Sequence, residues 1–262
     1  MLFRSKATVA EAQKALKREG IESERMKYAP DGLRLSKRLS VVAGPAFQEG
    51  LVEIQDEGSQ VAAALVDARP GMMVVDACAG AGGKTLHLAA LMRNQGRIVA
   101  LDPHASRLDE LRSRAQRNGA TIIQTRVVAG PEGVAEFVDR ADAVLLDVPC
   151  SGLGVLRRKP DTKWKLTHDE LDRLASVQRE ILDGYSRLVK PGGALVYATC
   201  SILPSENQRQ VQGFLARHAE DWAIETERAW RPDREGFDGF YAARLVRKGR
   251  PGGEEEIGRA HV

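Results

Sequence analysis

The chain has 262 residues and a formal net charge of +3, with 43% hydrophobic and 29% charged residues. These values are typical of an ordinary soluble protein, and no hydrophobic run approaches the roughly eighteen residues that cross a bilayer. The N-terminus lacks the apolar core of a signal peptide and the three cysteines lack a disulfide-framework pattern, so we expect a cytoplasmic protein with free thiols.

The first fifty residues are the most basic part of the chain, with ten Lys/Arg against six Asp/Glu. Residues 8–19 have the pattern of a short amphipathic helix that ends at Gly20, and an extended stretch rich in proline and glycine follows. We predict that residues 1–50 form a small basic RNA-binding domain, joined to the rest through residues 54–58.

Helix and strand patterns alternate regularly from residue 59 onwards. We predict helices at 59–68, 84–93, 104–118, 168–188 and near 204, and strands at 72–76, 97–101, 121–128, 143–146 and 194–199. Two last strands, 223–228 and 239–247, have no long helix between them and predict an antiparallel hairpin at one edge of the sheet. The pattern therefore predicts an α/β fold with a Rossmann-like, doubly wound, mainly parallel sheet over residues 51–247. Residues 248–262 are predicted to be an unstructured tail, whose end resembles a translated sequencing adapter.

A glycine-rich turn follows the first strand of this alternation, with the sequence Asp76-Ala77-Cys78-Ala79-Gly80-Ala81-Gly82-Gly83-Lys84-Thr85. A phosphate-binding loop would need glycine at position 78, and a dinucleotide fingerprint would need glycine at position 85. Asp102, at the end of the next strand, is where a ribose-binding carboxylate lies in Rossmann-like sheets. A nucleoside without a bridging pyrophosphate, such as S-adenosylmethionine, fits this pattern better than NAD or ATP, which disfavours a dehydrogenase.

Two cysteines lie at the carboxyl ends of predicted strands, where ligands bind in open α/β sheets. Cys150 belongs to Asp147-Val148-Pro149-Cys150-Ser151-Gly152, and Cys200 belongs to Tyr197-Ala198-Thr199-Cys200-Ser201. Two thiols beside a nucleoside site favour covalent chemistry on an electrophilic ring. Cys78 is interpreted instead as a small buried residue beside the cofactor.

A basic segment follows the first of these cysteines, and five of the nine residues in 157–165 are Lys or Arg. Such a run is either a solvated surface or a phosphate-lined site, and Trp164 within it either packs against the protein or stacks on a base. Both alternatives stay open at this point.

Seven segments in matching order carry a resemblance to a known family. They are residues 55–60, 76–85, 102 with 107–108, 147–152, 157–164, 197–201 with 204–207, and 238–241. The chain resembles the Sun/Nop-type RNA cytosine-5 methyltransferases, and in particular their bacterial ribosomal RNA (Fmu-like) branch, over about residues 30–246. Two positions depart from the family: Ala81 stands where proline is common, and residues 127–131 lack the acid that is often found near the adenine.

The resemblance implies an S-adenosylmethionine-dependent enzyme of the class I methyltransferase fold that forms 5-methylcytosine. It implies that Cys200 adds to carbon 6 of cytosine, that Asp147 bonds the N3/N4 edge, and that Cys150 assists the closing elimination. The residues implied to contact the cofactor are Cys78, Ala79, Gly80, Ala81, Gly82, Gly83, Lys84, Asp102, Arg107 and Asp147. Those implied to contact RNA are Arg157, Arg158, Lys163 and Trp164, and no metal site is expected.

Three alternatives remain beside this prediction of ribosomal RNA as substrate. The substrate could be transfer RNA, and the protein could be a catalytically silent RNA-binding assembly factor. In a DNA cytosine-5 methyltransferase, the thiol at the position of Cys150 would be the nucleophile, but the second thiol at Cys200 argues for the RNA type. We expect a monomer without membrane contact.

Overall fold

A computed structural model describes residues 2–4, 6–37 and 40–249, and these residues form two β-sheets with helices around them. The strands are β1 (Leu2–Arg4), β2 (Ser23–Arg25), β3 (Gly32–Leu35), β4 (Val52–Ile54), β5 (Met73–Asp76), β6 (Arg97–Asp102), β7 (Ile123–Val127), β8 (Ala141–Asp147), β9 (Val189–Thr199), β10 (Trp222–Trp230) and β11 (Phe240–Arg247). The helices are α1 (Val9–Arg18), α2 (Pro45–Gln48), α3 (Glu57–Ala64), α4 (Gly83–Leu91), α5 (Ala105–Asn118), α6 (Thr162–Lys165), α7 (His168–Ser186), α8 (Gln208–Arg217) and α9 (Pro232–Glu235). Residues 250–262 of the predicted tail lie outside the described residues.

The larger sheet has seven strands in the order β10-β11-β9-β8-β5-β6-β7. The five strands from β9 to β7 in this order are parallel, while β11 pairs antiparallel with both β9 and β10. The predicted doubly wound, mainly parallel sheet and its antiparallel hairpin at one edge are therefore confirmed.

Both faces of this sheet are covered, which explains the continuous apolar runs of its central strands. Val144 packs on the side of α7 and α8, and its neighbour Leu145 packs on the side of α3 and α4. Both side chains are fully buried. Because successive side chains of a strand point to opposite faces, a strand buried on both faces needs apolar residues at every position.

The smaller sheet, in the order β2-β3-β1-β4, was not predicted as a sheet. Its strands are only three or four residues long, which is too short for a recognisable alternation of apolar and polar residues. Helix α1 packs on it and begins with a reciprocal capping pair, in which Thr8 and Glu11 each bond the other's backbone N–H. The sheet extends to residue 54, and the predicted domain boundary at residue 50 stays a prediction.

The order of the strands creates a crevice at the carboxyl ends of the parallel strands. The chain runs outward from β5 through β6 to β7 and then returns to place β8 on the other side of β5. Ligands of doubly wound sheets bind at such a switch point. Asp76, Asp102, Asp147 and Thr199 end the four strands around it. Among the described residues, none of the helices has the length and apolar content needed to cross a bilayer.

A buried carboxylate joins the smaller sheet to helix α5. Glu53, on β4, is 2% exposed. Its Oε2 accepts hydrogen bonds from Arg117 at 2.5 Å and from the Asn118 side-chain amide at 3.0 Å, and Arg114 lies 3.4 Å from Oε1. A buried charge is tolerated only with such partners. This cluster therefore fixes the smaller sheet against α5 only if Glu53 keeps its charge and its length.

We predict that Glu53→Ala destabilises the protein by about 3 kcal/mol, because it leaves two guanidinium groups partly buried without their carboxylate. Urea unfolding of the variant and of the unaltered chain measures this difference. Glu24→Ala is the matched control, since Glu24 pairs with Arg34 on the surface and both side chains are more than half exposed. Equal unfolding midpoints for Glu53→Ala and Glu24→Ala would contradict the assigned role.

Candidate active site

A cleft of about 1090 Å³ opens at the carboxyl ends of the parallel strands. It brings together most of the predicted site, and the predicted residues in its wall are Cys78, Ala79, Gly80, Ala81, Gly83, Lys84, Asp102, Arg107, Asp147, Cys150 and Cys200. Gly82 and the four predicted RNA contacts lie outside this wall. The cleft therefore joins the glycine turn and both cysteine segments in one space.

Two glycines shape the turn between β5 and α4 in different ways. Gly80 has φ +53°, and a Cβ added there would meet no atom within 4 Å, so its backbone borders open space in the cleft. Gly82 has φ +86°, and a Cβ there would lie 2.1 Å from the side chain of Leu111. Gly82 thus allows the turn to pack closely on α5, while Gly80 lets a ligand approach the backbone.

Asp102 holds the glycine turn in place from the end of β6. Its side chain is almost fully buried, and its two carboxylate oxygens accept hydrogen bonds from Gly80 N–H at 3.0 Å and His104 N–H at 2.8 Å. Arg107 lies 3.7 Å from the same carboxylate with an exposed side chain. The carboxylate has further lone pairs in the cleft wall, where a ribose hydroxyl could donate to it.

Lys84 and Asp147 form an ion pair across the cleft floor. Lys84 Nζ lies 2.6 Å from Asp147 Oδ2, and the two side chains are 9% and 31% exposed. Burial acts to lower the pKa of Lys84, but Asp147, followed by Cys200 and Asp76, outweighs burial and the net pKa is raised. Lys84 therefore stays charged and fixes the orientation of Asp147.

The Sγ atoms of Cys150 and Cys200 are 3.4 Å apart, within hydrogen-bonding distance for sulfur. The hydrogen bond from Cys150 lowers the pKa of Cys200, helped by the Lys84 charge and opposed by burial and Asp147. The same bond, followed by burial, raises the pKa of Cys150 well above its ordinary value. The pair is therefore asymmetric: Cys200 ionises more readily than Cys150, and Cys150 is the better placed of the two to keep its proton and donate it to the other sulfur.

Cys78 differs from these two thiols. Burial, followed by the nearby Asp76, raises its pKa well above the ordinary value. Asp76 itself accepts a hydrogen bond from the Thr85 hydroxyl at 2.7 Å, and burial raises its pKa to about 6. A thiol that resists ionisation fits the interpretation of Cys78 as a small residue in the wall.

Glu132 is a cleft residue that the sequence did not predict. Residues 127–131 contain no acid, but Glu132 follows them directly and lines the cleft together with Val128, Ile181 and Tyr185. No motif identifies it, because it lies in an irregular 3₁₀ segment, Pro131–Phe137. This end of the cleft therefore combines apolar walls with the carboxylates of Glu132 and Glu180.

The basic segment is held to the protein by a buried carboxylate at one end and exposed to solvent at the other. Arg157 and Arg158 lie 3.3 Å and 2.5 Å from the carboxylate of Asp238, which is 1% exposed. Trp164, in α6, is 80% exposed, with Lys163 Nζ 4.8 Å from its ring centre. Trp164 thus has little packing against the protein, and its contact with RNA stays a prediction. Lys159, which was not singled out, lines the cleft itself.

A polar network that no sequence motif predicted lies behind the two cysteines. Ser151 and Ser201 directly follow Cys150 and Cys200, and both bond the buried carboxylate of Glu206. The only signal was that Glu206 lies in segment 204–207 of the family resemblance. No cluster of three or more His, Cys, Asp or Glu side chains that could hold a metal occurs in the described ranges.

Comparison with known proteins agrees with this geometry. A family model described as "16S rRNA methyltransferase RsmB/F" matches residues 63–246. The chain is 40% identical over 217 residues to a probable ribosomal RNA small subunit methyltransferase B of Bacillus subtilis, covering 82% of this chain and 48% of that protein. It is 38% identical over 250 residues to the ribosomal RNA small subunit methyltransferase B of Vibrio cholerae, covering 92% and 56%. The chain thus spans about half the length of these curated relatives.

A solved structure has the same fold. The crystal structure of a methyltransferase homolog protein from Pyrococcus horikoshii superposes with a TM-score of 0.83 at 30% identity, covering 94% of this chain and 86% of that one. The expected class I methyltransferase fold and the expected family resemblance are both confirmed.

We predict that Cys150→Ala slows alkylation of Cys200 by iodoacetamide about tenfold at neutral pH. The reason is that a hydrogen bond to an ionised group contributes about 1.5 kcal/mol, and its loss raises the pKa of Cys200. Rates measured by mass spectrometry over a range of pH, without RNA or cofactor, test this. The fast-labelling thiol should be absent in Cys200→Ala. An unchanged pH profile in Cys150→Ala would show that the 3.4 Å contact does not control the thiolate.

Proposed function

The chain belongs to the RsmB/F family of 16S rRNA methyltransferases, and from this we propose that it methylates carbon 5 of a cytosine in small-subunit ribosomal RNA. The observation that carries the proposal is the contact of two thiols with opposite pKa shifts in the wall of a nucleoside-sized cleft. A covalent pyrimidine mechanism needs one ionised thiol as the nucleophile, and a second, protonated thiol beside it can serve the later elimination.

S-adenosylmethionine is the cofactor of this proposal, and it supplies an electrophilic methyl group. The cleft fits it: Gly80 lets the backbone approach a ligand, Asp102 offers a carboxylate to ribose hydroxyls, and Val128 and Ile181 offer apolar walls to a purine. The turn lacks the glycine pattern that cradles a pyrophosphate, which supports a nucleoside rather than a dinucleotide. Glu132 lies in the same wall and can accept a hydrogen bond from an exocyclic amine.

Cys200 starts the reaction. Carbon 5 of cytosine is a weak nucleophile because its electrons belong to an aromatic ring. Addition of the Cys200 thiolate to carbon 6 forms a sulfur–carbon bond, breaks aromaticity and makes carbon 5 nucleophilic. Asp147 bonds the N3/N4 edge and shares a proton with N3, which offsets the negative charge that enters the ring. The 2.6 Å ion pair with Lys84 holds Asp147 for this role.

Cys150 acts when the adduct breaks down. Once the sulfur of Cys200 is bonded to carbon 6 it carries no negative charge, so the main cause of the raised pKa of Cys150 is removed. Cys150 can then lose its proton to water and, as a thiolate, accept the proton from carbon 5. The electrons left behind re-form the ring double bond and expel Cys200 as thiolate.

The surface beside the cleft supports an RNA substrate. Lys159 lines the cleft, Arg157 and Arg158 have side chains that are more than half exposed, and Trp164 and Lys163 extend the basic segment outward. Phosphate groups and an unpaired base suit such a combination of cations and an exposed ring. The target cytosine must be unpaired or flipped, because Cys200 has to reach the face of the ring. We also propose RNA binding for the basic residues 1–50.

We predict that the protein transfers labelled methyl groups from S-adenosylmethionine to small-subunit ribosomal RNA as 5-methylcytosine. Cys200→Ala should abolish transfer, and Cys150→Ala should accumulate a covalent protein–RNA adduct that withstands denaturing electrophoresis. Transfer RNA and DNA are run alongside as alternative substrates.

The other outcomes separate the alternatives. An adduct trapped in Cys200→Ala would assign Cys150 as the nucleophile, as in DNA cytosine-5 methyltransferases. Methylation of transfer RNA alone would show that transfer RNA is the substrate, and the proposed mechanism would still hold. Binding of RNA without binding of S-adenosylmethionine would favour a catalytically silent assembly factor.

We predict that Trp164→Ala weakens binding of a single-stranded RNA about tenfold, since stacking of one base on an aromatic ring contributes about 1–3 kcal/mol. Fluorescence anisotropy at fixed salt measures the dissociation constant. Trp164→Phe should keep most of the affinity, and the unfolding midpoint should stay the same because the side chain is 80% exposed. Equal affinities for Trp164→Ala and the unaltered protein would leave Trp164 without a role in RNA binding.

A further inference from the structure

We propose that Glu206 is a positioning residue that sets the distance between the thiols of Cys150 and Cys200. Its effect on methyl transfer rests on the proposed function above, whereas its effect on the thiols themselves does not. Glu206 lies between β9 and α8 with 0% exposure, and it does not line the cleft. It therefore acts through the segments that carry the cysteines and not on the substrate.

The carboxylate of Glu206 bonds the residue that follows each cysteine. Oε1 accepts hydrogen bonds from the Ser151 backbone N–H at 2.7 Å and from the Gln178 side-chain amide at 3.1 Å. Oε2 accepts from the Ser151 hydroxyl at 2.5 Å and from the Ser201 hydroxyl. One buried carboxylate thus receives four hydrogen bonds and links two chain segments that are distant in sequence.

The hydroxyl groups of Ser151 and Ser201 have little choice of hydrogen-bond partner. The hydroxyl oxygens lie 3.2 Å apart, but each hydroxyl has one proton, and both protons point to Oε2 of Glu206. Each oxygen in turn accepts from a backbone N–H two residues further on, Leu153 at 3.4 Å and Leu203 at 3.1 Å. The two cysteine segments therefore have matching turns that meet at one acceptor.

Glu206 is itself held on several sides. The hydroxyl of Tyr197, on β9, donates to its backbone carbonyl at 2.6 Å. Asn207 accepts from the Thr199 hydroxyl at 2.5 Å and donates to the Ser201 carbonyl at 3.0 Å, so the residues on both sides of Cys200 are tied to it. Gln178, on α7, also donates to the carbonyl of Pro149 at 2.9 Å, which holds the residue before Cys150. The carboxylate consequently acts as a rigid anchor.

A separate contact keeps the two segments near each other when Glu206 is changed. Gly154 N–H donates to the Cys200 carbonyl at 2.9 Å, and Gly239 N–H donates to the Gly154 carbonyl at 2.8 Å. A Cβ on Gly154 would lie 2.1 Å from the Gly239 carbonyl oxygen, so this contact is close-packed backbone. Loss of the Glu206 carboxylate should therefore loosen the approach of the two thiols without separating the segments.

The first test asks whether the two thiols lie close enough to bind one arsenic atom together. It uses phenylarsine oxide, which condenses with two adjacent thiols, forms two arsenic–sulfur bonds and releases water. The unaltered protein should bind one equivalent and lose two free thiols. Glu206→Ala should bind at least tenfold more weakly. Glu206→Gln should lie between them, because its amide oxygen can still accept while its amide nitrogen can only donate. Glu220→Ala, which removes an exposed carboxylate, is the matched control and should bind like the unaltered protein.

The second test separates positioning from a general loss of structure. Glu206→Ala should slow Cys200 alkylation at neutral pH and move its pH profile upward, as Cys150→Ala does. If Glu206 acts through Cys150, the double variant should show no further shift beyond Cys150→Ala alone. A merely structural role would instead add a second shift. Ser201→Ala removes one of the four hydrogen bonds and serves as a milder variant if Glu206→Ala does not fold.

Unchanged arsenical binding in Glu206→Ala or Glu206→Gln, or additive pH shifts in the double variant, would overturn the proposal. Neither test uses RNA or S-adenosylmethionine. If both tests give the expected results but the protein transfers no methyl group, the proposed function is wrong and the role of Glu206 still holds. If both are right, Glu206→Gln should lower the rate of adduct resolution and accumulate protein–RNA adduct, with little change in cofactor affinity.

Discussion

The site depends on the parallel register of two neighbouring strands. β8 and β9 pair so that Leu146 lies opposite Tyr197 and Asp147 lies opposite Ala198. The segments that carry Cys150 and Cys200 therefore follow the ends of β8 and β9 at nearly the same level of the sheet. Short turns then place the two sulfur atoms 3.4 Å apart. Because side chains alternate between faces, a slip of one residue in this pairing would turn the β9 side chains to the opposite faces of the sheet. Apolar residues on both faces of β8 and β9 stabilise this register.

Buried charges around the cleft serve orientation more than stability. Lys84 meets Asp147 beside the thiols, Asp238 meets two arginines below the basic segment, and Glu206 meets two serine hydroxyls. Each carboxylate loses hydration on burial and regains a similar energy from its partners, so the net stabilisation is small. The partners nevertheless allow one arrangement of donors and acceptors only. The sulfur atoms of Cys150 and Cys200 thus lie in turns whose conformation is set by polar contacts on the side away from the cleft.

The sequence predicted the parts of the molecule that have a strong local signal. Continuous apolar runs such as β8 and glycine stops such as Gly119, which has φ +65°, identified the strands and helices of the larger sheet. The cysteines were placed correctly at strand ends because strand order implies a common edge. The short strands of the smaller sheet lack periodicity, and Glu206 and Glu132 are single polar residues whose partners come from distant segments. Those contacts exist only after folding, so no local pattern reveals them.

The difference between Cys150 and Cys200 follows from their surroundings, since the two side chains are chemically identical. The hydrogen bond between the sulfurs is the largest cause of both pKa shifts, because the thiol that keeps its proton stabilises the thiolate that has lost one. Burial adds to the raised pKa of Cys150 and opposes the lowered pKa of Cys200. Smaller charge effects act in the same sense as the hydrogen bond, since Lys84 lowers the pKa of Cys200 and Glu206 raises the pKa of Cys150. The carboxylate that links the two turns therefore also helps to keep the proton on Cys150. One residue contributes both to the approach of the thiols and to the direction of the proton between them, which is why an uncharged amide of the same size should not fully replace it.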